Sequence, residues 1–320
     1  MKPDHRLPVA RSQVRFLEIT EDAGQRIDNF LIRTLKNVPR SRVYRMLRKG
    51  EVRVNGGRVK PTYRLHAGDK VRIPPHTPGR EFVSGNPGKS FVGSVRLAKI
   101  ERSIIFEDDD LLVLNKPQGV AVHGGSGVSF GVIEAVRRLR PQGRLELAHR
   151  LDRDTSGCLI ISKRRSALSR IHASIRAGTM SKHYVLMVHG CWPQAVASVR
   201  LPLSKRMTAS GERRVRVDPG GKASRTDFQI ESSAANATIL TAQLYTGRTH
   251  QIRVHAAASG HAVIGDSKYA SPEDAEVCER LGLNRLCLHA AEIVLPWDGG
   301  ERRFVSPRPE SFASFWSRLS

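Results

Sequence analysis

A chain of 320 residues, 39% of them hydrophobic and 6% aromatic, has length for two globular domains, each with its own core. Its formal net charge of +23 at pH 7 is far from balanced and points to a polyanionic partner. A membrane partner is not expected, because no long apolar span or strongly apolar amphipathic face is present. The start, Met1-Lys2-Pro3-Asp4-His5, lacks a signal-type apolar run. Four cysteines (Cys158, Cys191, Cys278, Cys287) form no CxxC pair, which indicates neither a zinc site nor a disulfide framework. A cytoplasmic protein with reduced thiols is the expectation.

Residues 1–20 are polar and aperiodic and read as a disordered arm. From there the pattern becomes helical: Ile27, Phe30, Leu31 and Leu35 share one face, and Val38-Pro39-Arg40 ends it. A second helix places Val43, Met46 and Leu47 inward and ends at Gly50, with Arg42, Arg45, Arg48 and Lys49 on its outer face. Val52 to Val59 alternates around Asn55-Gly56 and predicts a hairpin, and Gly68-Asp69 a further turn. A charged helix face is ordinarily just solvated. Here residues 40–72 carry eleven Lys and Arg, Arg53 among them, against Glu51 and Asp69 alone, a self-repelling bias that an anion relieves. Two short helices followed by a Val-Asn-Gly hairpin and a Gly-Asp turn resemble the S4-type RNA-binding domain. That resemblance implies phosphate contacts by Arg42, Arg45, Arg48, Lys49 and Arg53. Residues 81–100, rich in Pro, Gly, Ser and Lys, read as a linker between a domain at 21–80 and one at 101–320.

The larger domain opens with two apolar strands around Asp108-Asp109-Asp110, a hairpin turn rather than a cation site. Gly125, Gly127 and Gly131 give G-x-G-x-x-x-G, one residue too long for a dinucleotide fingerprint, so a cofactor-dependent RNA methyltransferase is a weak rival. A helix through Val132, Ile133, Val136 and Leu139 follows. Then comes a polar stretch, His149-Arg150-Leu151-Asp152-Arg153-Asp154-Thr155-Ser156-Gly157, between Leu145 and the β-rich run Cys158–Ile161. A solvated turn explains this composition as well as a site does. A metal site at His149, Asp152 and Asp154 lacks a second ligand pair, and an aspartic-protease loop lacks its second copy. A lone catalytic carboxylate among cations is the third possibility. Farther on, a helix covers 165–177, a strand carries Tyr184, and a basic segment holds Lys205, Arg206, Arg213, Arg214 and Arg216. A second polar cluster, Thr246-Gly247-Arg248-Thr249-His250-Gln251-Ile252-Arg253-Val254-His255, predicts a turn at Gly247 and a helix from about Thr249. Its free backbone N–H groups and Arg248 would receive a phosphate or carboxylate. His250 and His255 lack the spacing of a helical zinc pair.

Asn115-Lys116-Pro117, His149-Arg150-Leu151-Asp152, the strand around Tyr184, the cluster Gly247–His255, Gly260-His261 with Gly265-Asp266, and Leu288-His289-Ala290 occur in that order. Together they closely resemble the RluA-type family of RNA pseudouridine synthases. The resemblance implies an α+β architecture: a small S4-type domain, then a catalytic domain on a mixed, largely antiparallel sheet flanked by helices. It implies isomerisation of uridines in 23S ribosomal RNA, free or in a large-subunit precursor, by a monomer needing no cofactor or metal. Asp152 corresponds to the catalytic aspartate, Arg253 to an arginine that pairs with it, and Tyr184 to a tyrosine that packs on the base. Arg150 matches the arginine that fills the space left by the flipped uridine. Leu288 is the expected apolar wall, and His149 and Arg248 are expected RNA contacts. Asp154 has no corresponding role and reads as a turn residue. A non-catalytic ribosome-associated RNA-binding protein would explain the charge, but not Asp152, Tyr184 and Arg253 together.

Overall fold

The computed structural model describes residues 13–35, 38, 40–75, 95, 97–124, 130–207 and 213–319, with the side chains of 40, 41 and 213 left out. Two compact units divide at Lys89 and Ser90. The first contains β1 (Arg15–Glu18), α1 (Ile27–Thr34), α2 (Arg40–Lys49), β2 (Arg53–Val54) and β3 (Lys70–Ile73). Its core is what the helical spacing required: Ile27, Phe30, Leu31, Leu35, Val43, Met46 and Leu47 are buried together with Val54, Val71 and Ile73. Gly50 ends α2 at φ +69°, where a side chain would collide with that of Arg58.

Two expectations change here. Arg15–Glu18 is not part of an arm but an edge strand paired with β3, so the domain begins before residue 21. The strand has no readable period; the open edge of β3 recruits it. Residues 1–12 lie outside the described structure. The Asn55-Gly56 turn forms, with φ +49° and +80°, but only a single bridge, Val54 to Gly57, closes it. The ladder of β2 runs instead to β3, whose turn is fastened by the Asn55 side chain through Lys70 N and Asp69. Most of the expected linker, residues 81–94 and 96, is also outside the described structure, as are residues 76–80 and residues 125–129 of the glycine run.

Among the described residues the second unit builds one ten-stranded sheet. Its strands are β4 (Ile104–Glu107), β5 (Leu111–Lys116), β6 (Glu146–Leu147), β7 (Ser156–Ser162), β8 (Ser181–His189), β9 (Ser198–Val199), β12 (Thr226–Ser233), β13 (Ala237–Leu244), β14 (Leu288–Trp297) and β15 (Gly300–Val305). Spatial order is β4-β5-β7-β14-β8-β13-β12-β9, with β6 beside β7 and β15 beside β14. Only β7 and β14 run parallel, so the sheet is mixed and largely antiparallel, as expected. A separate ribbon pairs β10 (Leu203–Met207) with β11 (Arg213–Val217). The helices are α3 (Val132–Leu139), α4 (Arg165–Ala177), α5 (Gln251–Ala258), α6 (Pro272–Arg280) and α7 (Glu310–Leu319). The last lies beyond the patterns read from sequence; it buries Phe312, Phe315 and Leu319 against Val185, Met187 and Ile239.

The centre of the sheet is the close approach of β7 to β14. Ser156 and Gly157, expected in the polar loop, belong to β7. A Cβ at Gly157 would collide with the Ala290 carbonyl oxygen, and φ there is +111°, so no other residue fits. That approach fixes where the loop 148–155 ends. β14 is one long strand from Leu288 to Trp297, with a register shift against β8 between Ala290 and Glu292; from Glu292 onward it also pairs with β15.

Candidate active site

The loop 148–155 is tied down along its length. His149 Nε2 accepts a hydrogen bond from Ile160 N at 3.0 Å, and Thr155 N donates to Asp152 O at 3.2 Å. The Arg153 carbonyl accepts from Gly119 N at 2.9 Å and from Lys116 Nζ at 3.0 Å. Lys116 is fully buried and also donates to Pro117 O and Val120 O. Burial pushes its ammonium down to about 7, against the opposing pull of Asp154 and Asp152. This lysine was visible in sequence only as part of a motif, without a role. It is the clamp that joins the end of β5 to the aspartate loop.

At the far end, Ser156 Oγ lies 2.9 Å from His289 Nδ1 and accepts from Arg285. His289 Nε2 faces Ser306 O at 3.3 Å. Burial lowers His149 and His289 to about 4, so both are neutral near pH 7. The structure gives the expected RNA contact at His149 no support. Its ring nitrogen is spent on a strand amide, and it brings no positive charge to a phosphate.

The loop places Asp152 in the lining of two cavities that share residues. One, of about 60 Å³, is lined by Leu151, Thr155, Tyr184, Leu244, Ile252 and Leu288, with Arg248, His250 and Gln251 at its polar side. The other, of about 350 Å³, is lined by Arg150, Arg153, Arg253, Lys268, His123 and His250. Asp152 and Leu151 belong to both. Tyr184 reaches the first from mid-β8, opposite Ala242 and Ala290, small neighbours that leave room above the ring. Burial raises its hydroxyl above the usual tyrosine range, with Asp152 adding to the effect, so it stays protonated. The structure thus brings Asp152, Tyr184, Leu288, Arg150 and Arg248 to one place.

It does not pair Asp152 with Arg253. The Arg253 guanidinium forks onto Asp266, Nε to Oδ2 at 2.6 Å and the second nitrogen to Oδ1 at 2.5 Å. Asp266 follows α5 by a short loop and turns back onto the helix, where both side chains are sealed from solvent. Arg253 still senses Asp152 electrostatically, but its fork is occupied. Among the described residues the basic side chain within 4 Å of the Asp152 carboxylate is His250, with Nε2 3.8 Å from Oδ2. The carboxylate accepts no side-chain hydrogen bond among the described residues. Sequence offered one signal for His250, its place beside the Gly247 turn.

The start of α5 differs from expectation as well. The helix begins at Gln251, and His250 precedes it in the left-handed region at φ +52°. Gln251 folds back, its Oε1 accepting from Arg248 N at 3.0 Å and Thr246 Oγ1 at 2.7 Å, while Nε2 donates to Arg225 O and Thr226 Oγ1. The Arg248 amide is therefore consumed internally. The Arg248 side chain is exposed at the rim, with Nε on Ala223 O. His255 is an interior residue among Ser224, Thr226 and Leu201 O. Asp154 pairs with its neighbour Arg153, in keeping with a turn role.

In the first unit, Arg42 is bound bidentately by Glu51 at 3.1 and 2.8 Å and is not available to a phosphate. Arg45, Arg48 and Lys49 are exposed and form no ion pair among the described residues. Arg53 is exposed, its guanidinium resting on the Gly50 and Gly56 carbonyls. Among the described residues no cluster of His, Cys, Asp and Glu could hold a metal ion, and no helix is long and apolar enough to cross a membrane.

Comparison with known proteins gives the family. The family model for RNA pseudouridylate synthase matches residues 110–258, and that for the S4 domain matches 25–71. The Escherichia coli K12 ribosomal large subunit pseudouridine synthase C is 51% identical over 313 residues, 96% of this chain and 97% of that protein. Its Haemophilus influenzae counterpart is 50% identical over 300 residues, 92% of each. The chain belongs to the RNA pseudouridine synthase family. It is an isomerase with an S4 domain in front. Among solved structures, human RNA pseudouridylate synthase domain containing 4 aligns with 72% of this chain and 97% of its own, at 26% identity and a TM-score of 0.59. In a pseudouridine synthase, uridine loses its N1–C1′ bond and regains a link to the sugar through C5; N1 ends protonated and C5 gives up its hydrogen as a proton. Nothing is oxidised or transferred to a second molecule. A carboxylate, a dry pocket for the base and a place to hold the backbone are the required parts.

Proposed function

We propose that this enzyme isomerises several uridines of 23S ribosomal RNA, free or within a large-subunit precursor, acting as a cytoplasmic monomer. The observation that carries the site assignment is the shared wall: Asp152 borders both the compartment of Tyr184 and Leu288 and the one of Arg150, Arg153 and Lys268. A flipped uracil enters the first and packs on Tyr184, while its phosphates lie against the second. Asp152 is the catalytic carboxylate, and Arg150 occupies the stack that the uridine leaves. The ribosomal substrate follows from the relatives that match nearly the whole chain.

Incubation with unmodified 23S ribosomal RNA tritiated at uracil C5 tests this directly. Wild type releases tritium into water as C5 joins the sugar, and Asp152→Asn binds the RNA without releasing any. Retained release by Asp152→Asn would remove Asp152 from the chemistry. Release from neither free RNA nor precursor particles would remove the ribosomal substrate. The first unit is the electrostatic anchor in this reading. Replacing Arg45, Arg48 and Lys49 together by Gln flattens the slope of log affinity against log salt by about 3, roughly one for each phosphate that is no longer neutralised. An unchanged slope would move the anchor to the catalytic domain.

A further inference from the structure

Neither Tyr184 nor Arg253 forms a hydrogen bond with the Asp152 carboxylate, and His250 is the one basic side chain within 4 Å of it among the described residues. The ring of His250 is itself held. Tyr269 Oη lies 2.7 Å from His250 Nδ1, and the two rings meet edge to face at 5.6 Å. Val215 N, on β11, donates to the same Tyr269 oxygen at 3.1 Å. With one lone pair of that oxygen taken, the arrangement favours giving the hydroxyl hydrogen to His250 Nδ1, and the imidazole hydrogen then sits on Nε2, the nitrogen facing Asp152. Tyr269 is fixed in turn by the buried pair beneath it: the Arg253 guanidinium sits 5.1 Å from its ring centre, and Asp266 Oδ1 accepts from its backbone N at 3.2 Å. The charged groups that act on His250 are Asp152, Arg253, Lys268 and Asp266, and burial keeps its imidazole neutral against the pull of Asp152.

We propose that His250 is the positioning residue of the Asp152 carboxylate, its ring set by Tyr269 so that the Nε2 hydrogen faces Oδ2. The inference rests on Asp152 being the catalytic carboxylate. The 3.8 Å separation is longer than a formed hydrogen bond and closes when a uridine fills the adjoining cavity. The left-handed backbone at His250, φ +52°, is the cost of aiming a side chain backward from the first turn of α5.

Two readouts separate this role from a structural one. The first is the set of substitutions at position 250, measured as single-turnover tritium release and as RNA affinity. His250→Asn is well suited to the left-handed backbone and keeps an amide beside Tyr269, but does not reach Asp152; it slows turnover about 100-fold, as a misplacement near 1 Å does, with RNA affinity and melting unchanged. His250→Gln extends an N–H to where Nε2 stood and recovers to within about tenfold of wild type. Tyr269→Phe slows turnover about tenfold. A His250→Asn protein as fast as wild type, or a Gln variant as slow as Asn, overturns the proposal. The second readout needs no turnover: nitrogen NMR of the His250 imidazole near pH 7. The Nε2–H tautomer is expected in wild type and a mixture in Tyr269→Phe; a charged ring or the Nδ1–H form in wild type overturns the seating. If wild type fails to release tritium, the ribosomal reading falls, while the nitrogen spectra still decide the seating of His250.

Discussion

Asp152 and Asp266 sit on either side of Arg253, and they are opposites. Asp266 is sealed from solvent, forks onto Arg253 and accepts two further backbone hydrogen bonds, from Lys268 N at 2.9 Å and Tyr269 N at 3.2 Å. Asp152 keeps a fifth of its side chain exposed, accepts no side-chain hydrogen bond among the described residues and has His250 3.8 Å away. A buried carboxylate that holds an enclosed guanidinium and two backbone amides is part of the scaffold, because removing it strands a buried charge. A carboxylate left under-satisfied at a cavity wall retains lone pairs for a reacting group. The two identical side chains are separated into structural and chemical roles by what surrounds them.

The largest expected effect divides them most sharply. Asp266→Asn leaves Arg253 charged and enclosed, and costs about 3–5 kcal/mol of stability, read by denaturant unfolding. Asp152→Asn changes stability by less than about 1 kcal/mol and abolishes tritium release. Comparable losses of stability from both would erase the distinction. Arg253→Lys comes next. The fork onto Asp266 becomes a single point of attachment, and the expected loss is about 1–3 kcal/mol of stability with a partial fall in turnover. A variant that keeps full stability but loses turnover outright would return Arg253 to the direct partnership with Asp152 that its sequence motif implied.

The same contrast runs through the histidines and has the smallest effect. His149 and His289 are enclosed with folded values near 4, below the 6.5 of the unfolded chain. The unfolded chain therefore takes up protons first. Their contribution to stability is complete above pH 6.5 and is lost as pH falls from 6.5 toward 4. Each steepens that fall by up to about 1.4 kcal/mol per pH unit. Unfolding measured across this window with His289→Gln should show a shallower slope than wild type; an identical slope would mean that position 289 titrates normally.

Much of this protein was legible from local pattern. The inward faces of α1 and α2 follow from 3.6-residue spacing, Gly50 from the left-handed conformation that ends a helix, and the Asp108 turn from its own side chain accepting the amides of Asp110 and Leu111. Each is settled within a few residues of chain. The motif residues Asp152, Tyr184 and Leu288 line one cavity, although they arise from a loop and two strands. β1 escaped notice because four residues with one inward leucine carry no period.

What sequence alone determined, then, is the two-domain order, the basic bias of the first hundred residues, the helix faces and the stretch that holds the aspartate. Tertiary structure decided the partners. Arg253 has two aspartates within electrostatic reach, and only the fold of residues 259–266 back onto α5 gives its fork to Asp266. His250 meets Asp152 across 98 residues of chain, and Lys116 meets the Arg153 carbonyl across 37. Hydrophobic periodicity is a local property and survives in the linear chain. The choice of partner for a buried charge is made by desolvation, which exists only once the surrounding strands have closed over it.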